Sequence, residues 1–273
     1  MTHIAEAIAG GGTGEVGGIK PAKAVDKALQ VLDVYLSMGH SMGISEIARH
    51  VDLPKSTAYR IIRQLAASGY LIRAGDSYRL SYRLFHLGTQ FIHARPNGLL
   101  DVASPYLGTL LMQTGYCVQV GVLEGPEVTI LERLQTHRMN VSFGPVASTQ
   151  PPTTSSIGKI ILAMSEPETI NRVYAAGLRR ATPSSIQLPA ILNQQLATAR
   201  STGVAYDLEE TTVGVVSVAA AVHWQGRPIA GIAVAGPAGR FDPKTASALV
   251  NRTANAVEAQ FMQKRILMQD FRS

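Results

Sequence analysis

Residues 44–80 read ISEIARHVDLPKSTAYRIIRQLAASGYLIRAGDSYRL, a stretch that predicts two short helices followed by a β-hairpin. The first helix is indicated by apolar residues spaced i, i+3, i+4 and i+7, namely Ile44, Ile47, Ala48 and Val51. We expect Ser45 to cap this helix, because a serine hydroxyl accepts a hydrogen bond from an otherwise unpaired amide of the first turn. Pro54 then begins the second helix, where the missing N–H of proline is tolerated.

The second helix has an apolar face and a polar face. Gly69 ends it as a C-terminal cap would, and residues 70–72 and 78–80 are predicted as two strands joined by the turn-rich segment 73–77. Ala58, Ile61, Ile62 and Leu65 are predicted to point inward, and the outer face carries Ser56, Thr57, Tyr59, Arg60, Arg63 and Gln64.

That outer face is the first indication of function. Arg60 and Arg63 can pair with phosphates or with the acceptor edge of guanine. A helix-turn-helix places such a helix in the major groove of DNA, and a hairpin wing reaches the adjacent backbone or groove. A merely solvated helix face is the alternative, but the turn, the wing and the charge distribution favour binding to double-stranded DNA. The predicted DNA-binding residues are Lys23, Ser45, Lys55, Ser56, Thr57, Tyr59, Arg60, Arg63, Arg73, Tyr78 and Arg79.

Basic residues concentrate in this part of the chain. Residues 20–95 contain eleven Lys/Arg against five Asp/Glu, whereas residues 96–273 contain fourteen against twelve. Neutralisation of DNA phosphates would use that excess. A membrane surface also attracts basic patches, but the sequence has no Lys/Arg-rich amphipathic helix of the kind that binds one.

The composition argues against several classes of protein. No apolar run approaches the roughly 20 residues of a membrane-spanning helix, and the N-terminus lacks the pattern of a secretion signal. We therefore expect a cytoplasmic protein with no membrane partner. The single Cys117 excludes an intramolecular disulfide framework and a cysteine-cluster zinc site. His86 and His93 lie two helical turns apart, too far for one metal without a third ligand, so we predict no metal and no cofactor.

The N-terminal region contains two further segments. Residues 1–19 are glycine-rich and aperiodic, which indicates a disordered arm. Residues 22–36 are predicted to form a helix that packs beneath the helix-turn-helix, because its apolar residues repeat at helical spacing. The residues that this helix is expected to bury are Val25, Leu29, Leu32 and Leu36.

From Leu99 onward helices and strands alternate. Tyr116–Leu123 alternates with period two, and residues 139–143 and two later apolar segments, 213–223 and 228–235, are also predicted as strands. A Pro/Ser/Thr-rich loop at residues 144–154 precedes a helix that begins near Ser155. Strands in the middle with helices on the flanks predict an α+β domain.

The chain resembles the IclR family of bacterial transcription regulators in two regions. The most specific part is the LPKST-x-x-R-x-x-x-x-L core from Leu53 to Leu65, and the second region contains TTSSIGKIILA (153–163), TGVAYDLEETTVGVVSVAAAV (202–222) and GRPIAGIAVAGPAGRF (226–241). The resemblance implies a homodimer or dimer of dimers that binds operator DNA and responds to a small metabolite. It also implies a GAF-like effector domain with a central, mostly antiparallel sheet. The predicted parts are a disordered arm (1–19), a winged helix-turn-helix DNA-binding domain (20–82), a linker helix (83–98) and an effector-binding and oligomerisation domain (99–273).

An effector site is predicted where those three segments meet in the family. Free amides at the start of a helix near Ser156 favour a carboxylate, and Ser217 interrupts an apolar strand as a polar contact in a cavity would. Asp207, Glu209 and Glu210 form an acidic cluster, which is either a solvated loop or a set of caps and ion pairs that shapes the site. The predicted effector-binding residues are Met139, Ser142, Ser156, Ile157, Gly158, Asp207, Ser217, Ala233 and Ala235.

The departures from the family pattern bear on the effector. Ser217 stands where a cysteine is common, Thr153 where histidine is common, and Ala221 where proline is usual. Ala233 and Ala235 stand where some members that bind very small oxyacids have serines. Each missing hydroxyl removes a hydrogen-bond donor, so our hypothesis is a larger, partly apolar acid such as an aromatic carboxylate.

These observations predict a transcriptional regulator, a repressor of a catabolic operon, whose operator binding is modulated by a small organic acid. An enzyme fused to a DNA-binding module is one alternative, but the sequence has no Gly-rich phosphate loop, G-x-S-x-G elbow or H-E-x-x-H pair. We therefore predict that the protein is not an enzyme. An architectural DNA-binding protein without a ligand is another alternative, against which the size of the second domain weighs.

Overall fold

The structure, a computed structural model, describes residues 23–38, 41–94, 98–136, 146 and 148–270; for residues 23, 37, 89–94 and 265–270 only the backbone course is described. The chain divides into two compact units, residues 1–97 and 98–273. The predicted arm at 1–19 and the predicted strand at 139–143 lie outside the described residues. Among the helices that are described, none has the length and apolar character needed to cross a bilayer.

The N-terminal unit is a winged helix-turn-helix followed by a further helix. Its strands form an antiparallel sheet in the order β1-β3-β2, and the short strand β1, which the sequence pattern did not predict, pairs with the hairpin. The elements are α1 (Lys23–Met38), β1 (Met42–Gly43), α2 (Ile44–His50), α3 (Lys55–Ala67), β2 (Leu71–Ala74), β3 (Ser77–Leu80) and α4 (Tyr82–Ala94).

Helix α3 has the faces that its sequence predicts. Ala58, Ile61 and Ile62 are buried in the core of the unit. Gly69 has φ +78°, and the amide of Tyr70 donates to the carbonyl of Leu65 at 2.9 Å. This is the left-handed glycine termination of a helix, in which the orphan carbonyls of the last turn are satisfied.

The prediction for the cap of α2 is wrong. Gly43 occupies the N-cap position and there is no side-chain cap hydrogen bond. Strand β1 leads directly into Ile44, so the helix begins earlier than a Ser45 cap requires, and Ser45 lies exposed within the first turn.

The prediction for the buried face of α1 is wrong for three of its four residues; the fourth, Leu32, is partly buried and packs against the core of the unit. Val31 and Tyr35 are buried, whereas Val25, Leu29 and Leu36 are 57%, 54% and 77% exposed. The hydroxyl of Tyr35 donates to the carbonyl of Tyr78 at 3.0 Å. Apolar residues cover much of the circumference of α1, and the stripe that also provides this hydrogen bond is the one that packs inward.

The C-terminal unit is built on one antiparallel sheet in the strand order β6-β5-β4-β9-β8-β7. The short strand β6 falls in the segment 144–154, which was predicted to be loop throughout. The elements are α5 (Leu99–Thr114), β4 (Cys117–Glu124), β5 (Glu127–Leu134), β6 (Thr149–Gln150), α6 (Ser156–Met164), α7 (Pro167–Ala175), α8 (Pro189–Thr202), β7 (Ala205–Leu208), β8 (Val215–Trp224), β9 (Arg227–Pro237) and α9 (Pro243–Asp270).

Helices cover both faces of this sheet. Val118, Val218 and Val234 face the layer that contains α5 and α9. Ala219 and Ala233, on the opposite face, pack with the apolar residues of α6 and α8. Because successive side chains of a strand point to opposite faces, the same strands build a valine-rich core on one side and a surface of small residues on the other.

Candidate DNA-binding and effector-binding sites

The outer face of α3 presents the predicted DNA-binding residues to solvent. Arg60 and Arg63 are exposed, as are Lys55, Ser56 and Tyr59, and Thr57 is partly exposed. The guanidinium of Arg63 lies 5.7 Å from the centre of the Tyr59 ring, within the range of a cation–π interaction. The helix therefore presents cationic and hydroxyl groups together on one accessible surface.

The wing contributes two of its three predicted residues. Arg73 and Arg79 are exposed, and Arg73 Nε donates to the carbonyl of Gly75 at 2.9 Å, which ties its side chain to the turn of the hairpin. Tyr78, by contrast, is only 7% exposed and belongs to the core of the unit. Its side chain cannot face DNA, so the structure contradicts that prediction. The side chain of Lys23 lies outside the described residues.

A cavity of about 40 Å³ lies in the C-terminal unit, on the face of the sheet that α6 covers. Strand register assembles its floor. Ser217 of β8 is paired with Asp207 of β7 on one side and with Ala235 of β9 on the other, and Ala233 is paired with Gln119 of β4. Directly opposed residues of antiparallel strands share a face of the sheet, and alanine and serine leave open the space that larger side chains would fill.

The start of α6 forms the opposite wall of the cavity. Ser155 is the N-cap, and its hydroxyl accepts a hydrogen bond from the amide of Gly158 at 3.1 Å. The next residue, Ser156, reaches across to the sheet, where its Oγ lies 2.6 Å from Oγ of Ser217. The positive end of the helix dipole and the first-turn amides therefore face a wall of small polar groups.

Asp207 is the buried carboxylate of the cavity. Its Oδ1 accepts hydrogen bonds from the amides of Glu210 at 2.7 Å and Thr211 at 3.3 Å. Burial raises the pKa of Asp207 from 3.8 to about 6, although the amide of Glu210 and the charge of Lys159 favour its ionised form. A side-chain hydrogen bond with Thr211 also favours the ionised form of Asp207 and lowers its pKa.

A buried ion pair adjoins this carboxylate. Lys159 of α6 is 1% exposed and Glu210 is 4% exposed, and Lys159 Nζ lies 2.7 Å from Glu210 Oε1. Nζ also donates to Oε1 of Gln195 on α8 at 2.9 Å. Glu209 acts differently, because its Oε2 accepts from the amide of Gly214 at 2.7 Å. The acidic cluster is thus a set of caps and ion pairs, which is one of the two interpretations left open by the sequence.

Comparison with known proteins identifies the family. Residues 24–74 match the model of the IclR helix-turn-helix domain, and residues 94–259 match that of the C-terminal domain of bacterial transcriptional regulator IclR. The chain belongs to the IclR family. Among its relatives, the HTH-type transcriptional repressor AllR of Salmonella paratyphi A is 30% identical over 226 residues, which make up 81% of this chain and 82% of AllR.

Solved structures of IclR proteins share the fold. An IclR homolog from Microbacterium hydrocarbonoxydans, crystallised with 4-hydroxybenzoate, is 25% identical and has a TM-score of 0.77, covering 88% of this chain and 99% of that one. The IclR of Thermotoga maritima is 23% identical with a TM-score of 0.72, covering 88% and 98%. The predictions of an IclR-type transcriptional regulator and of its α+β fold are confirmed.

Six of the predicted effector residues line the cavity of this IclR protein, namely Ser156, Ile157, Asp207, Ser217, Ala233 and Ala235. Gly158 is not among the lining residues; a Cβ there would overlap the backbone of Pro152, so this glycine allows α6 to lie close to the preceding loop. Met139 and Ser142 lie outside the described residues.

The sequence reasoning did not single out the remaining lining residues. Gln119 had a usable signal, because it is the polar position of an otherwise apolar, alternating strand. The others carry no local signal and are brought to the cavity by the loops that flank α6 and follow Asp207. These lining residues are Gln119, Gln150, Thr211, Thr212 and Val215.

Proposed function

We propose that this IclR-family protein represses a catabolic operon and that a small organic acid, bound in the cavity of the C-terminal unit, modulates its binding to operator DNA. The DNA-binding part of the proposal uses the exposed face of α3 and the arginines of the wing. Arg60 and Arg63 are exposed on that face and would contact phosphates or base edges, and the exposed Arg73 and Arg79 extend the basic surface onto the hairpin.

A homodimer, or a dimer of dimers, would present two such faces to successive major grooves, about 34 Å apart. Several large apolar side chains of the N-terminal unit are exposed on two of its helices, and burial of such side chains against a second copy would favour self-association. They are Val25, Leu29 and Leu36 on α1 and Tyr82, Phe85 and Leu87 on α4.

The observation that carries the effector part is the cavity beneath the start of α6. The helix N-terminus favours a carboxylate, and Asp207 on the facing sheet can accept a hydrogen bond from a hydroxyl at the other end of the same ligand. Apolar Ile157, Ala233 and Ala235 line the space between them. A ligand with an acidic end, an apolar body and a hydroxyl fits this order of groups, and the relative from Microbacterium hydrocarbonoxydans was crystallised with such an acid.

The cavity as observed has room for a few water molecules, so an aromatic acid has to displace part of its wall. Breaking the hydrogen bond between Ser156 and Ser217 would free both hydroxyls for the ligand. A ligand changes operator affinity only as far as it binds one arrangement of the protein more tightly than another, so the proposal requires that the wall of the cavity differ between the two arrangements.

Thermal unfolding of the full chain with a panel of acids tests the effector part. At a ligand concentration of 100 Kd, binding to the native state adds about 2.7 kcal/mol to the free energy of unfolding. We expect stabilisation by 4-hydroxybenzoate or benzoate and little by glyoxylate or pyruvate. The Ser217→Leu variant, which fills the cavity, is the control and should lose the response. A preference for glyoxylate over every aromatic acid would contradict the proposed ligand class.

Mapping of genomic binding sites, followed by gel-shift titration of the fragments found, tests the DNA-binding part. The stabilising acid should change operator affinity, and Arg60→Ala should weaken operator binding without altering ligand affinity. Operator binding that no acid alters would instead favour an architectural protein, and turnover of the acid would favour an enzyme.

A further inference from the structure

A continuous chain of contacts leads from the inner side of α6 to the carboxylate of the cavity. Lys159 Nζ lies 2.7 Å from Oε1 of Glu210. The backbone amide of Glu210 in turn donates to Oδ1 of Asp207 at 2.7 Å. Lys159 does not line the cavity, but it holds the residue that orients the carboxylate lining it.

The backbone around Glu210 is anchored from the opposite direction as well. The hydroxyl of Ser185 donates to the carbonyl of Glu210 at 2.7 Å, and the hydroxyl of Thr182 donates to the carbonyl of Glu209 at 2.7 Å. The segment that carries Asp207 is therefore held between Lys159 on one side and two buried hydroxyls on the other. With its carbonyl anchored independently, Glu210 can tolerate a change in its side chain without losing its place in the chain.

The arrangement around Glu210 shows why Lys159 is needed. Oε2 of Glu210 is buried and, within the part of the chain that the structure describes, has no hydrogen-bond partner. A buried carboxylate with one oxygen unsatisfied is costly unless a cation neutralises it. Lys159 supplies that cation, and burial lowers the pKa of Lys159 while the charge of Glu210 and its hydrogen bond raise it.

The same two charges act on Asp207 with opposite signs. Lys159 lowers the pKa of Asp207 and Glu210 raises it, against a background of burial, which is the largest cause of its raised pKa. Among the described residues, no other charged side chain shifts the pKa of Asp207. The residue of β8 that is paired with Asp207 is the neutral Ser217.

We propose that Lys159 is a positioning residue for effector recognition: paired with Glu210, whose amide binds Asp207, it holds the carboxylate of Asp207 in place to meet the ligand. The charge of Lys159 also favours the ionised form of Asp207. This inference rests on the proposed effector site and goes beyond it, because it assigns a role in ligand selection to a residue that touches no ligand. An ionised Asp207 accepts a hydrogen bond but gives none, so the site selects an effector that donates one there, such as a hydroxy acid.

Charge-changing variants of the pair separate positioning from mere structural support. In Lys159→Met, Asp207 loses its favourable neighbour, and the pH midpoint of effector affinity should rise by about one pH unit. In Glu210→Gln, Asp207 loses a like charge, and the midpoint should fall. The probe is the acid that stabilises the wild type most strongly, measured by calorimetry from pH 5 to 9. At pH 7 the Lys159→Met variant should bind it about two-fold more weakly and at pH 6 about five-fold more weakly, whereas at pH 9 the two proteins should differ little.

Two controls keep the test decisive. The exposed pair Arg179 and Glu127 provides the matched variant Arg179→Met, which removes an ion pair far less buried and should leave the midpoint unchanged. If Lys159→Met does not fold, the double variant Lys159→Met/Glu210→Leu removes both charges, since replacing a buried pair by apolar residues is often tolerated. Its midpoint should lie between those of the single variants.

The titration of Asp207 in the ligand-free protein distinguishes failure of this inference from failure of the proposed function. Carboxyl carbon resonances, with Asp207→Asn used for assignment, report its midpoint without any effector. Opposite shifts in the two single variants support the role of Lys159 even if no acid of the panel binds. Equal midpoints in all variants, or shifts in the same direction, overturn the inference.

Discussion

Replacing Asp207 by asparagine should stabilise the protein at alkaline pH, and the size of the effect follows from the raised pKa. The native carboxyl titrates at about 6 instead of 3.8 because it is buried, so between these values the native state binds more protons than the unfolded chain. The free energy of unfolding therefore falls as the pH rises through this window. Above about pH 6 the buried, ionised carboxylate of Asp207 lowers the free energy of unfolding of the wild type by its full amount, about 3 kcal/mol.

Asparagine has nearly the same shape and keeps an oxygen that can accept from the amide of Glu210, but it never ionises. We expect Asp207→Asn to exceed the wild type by as much as about 3 kcal/mol at pH 8, and by less than about 1 kcal/mol near pH 4. Urea unfolding followed by the fluorescence of Trp224 is a suitable assay. This residue is the single tryptophan of the sequence, and its ring packs edge-on against Phe261, so the signal reports the C-terminal unit.

Distant titratable groups contribute equally to the stability of the variant and of the wild type, so they cancel when one free energy of unfolding is subtracted from the other. Glu166→Gln is the matched control, because Glu166 is exposed and makes no side-chain cap bond; it should change stability by a few tenths of a kcal/mol at any pH. A difference for Asp207→Asn that is the same at pH 4 and pH 8 would refute the reasoning, and so would a wild type that gains stability on ionisation of this group.

Three further outcomes are expected. Arg60→Ala and Arg63→Ala should weaken operator binding in gel-shift titrations while leaving the effector Kd unchanged; a loss of about 1–3 kcal/mol with relaxed base preference would indicate base reading, and uniform weakening would indicate phosphate contact. Gly158→Ala should destabilise the protein by roughly 3 kcal/mol in urea unfolding, since the added Cβ would overlap the backbone of Pro152. Gly108→Ala is the control: a Cβ at Gly108 would meet open space, so this variant should be neutral or raise stability by about 0.5–1 kcal/mol. Ala235→Ser should improve calorimetric affinity for glyoxylate relative to benzoate by about 1 kcal/mol, the contribution of one added hydrogen bond, and an unchanged ratio would contradict the role assigned to the missing hydroxyls.

Features that depend on neighbours in the sequence could be predicted from it. The inward face of α3, the glycine that ends this helix at Gly69 and the start of α6 near Ser155 all follow from local spacing and local hydrogen bonds. The short strand β1 could not be found in this way, because two residues carry too little pattern. The buried face of α1 was misjudged for a different reason. Val25 and Val31 belong to competing apolar stripes, and tertiary contacts, among them the hydrogen bond from Tyr35 to Tyr78, favour the stripe that contains Val31.

In the candidate site, too, the residues with a local sequence signal could be predicted and those that depend on distant partners could not. Ser217 could be singled out because it is a polar residue in an apolar strand, and Asp207 because it begins an acidic cluster. The partnership of Lys159 with Glu210 joins residues 51 positions apart, and neither residue indicates the other. Tyr78 was wrongly assigned to the DNA-binding surface. An aromatic residue in a basic wing suggests contact with DNA, but the fold places this one in the core.

The alternation of side chains along β4, β8 and β9 separates two properties of the C-terminal unit. Val118, Val218 and Val234 maintain the packing beneath α5 and α9, while the residues directly after or before them, such as Gln119, Ser217 and Ala233, line the cavity on the other face. If that cavity binds the effector, as proposed, substitution at every second position would change which metabolite is sensed while the other half of the strand preserves the core. Relatives with such a sheet could then diverge in effector specificity without loss of folding stability.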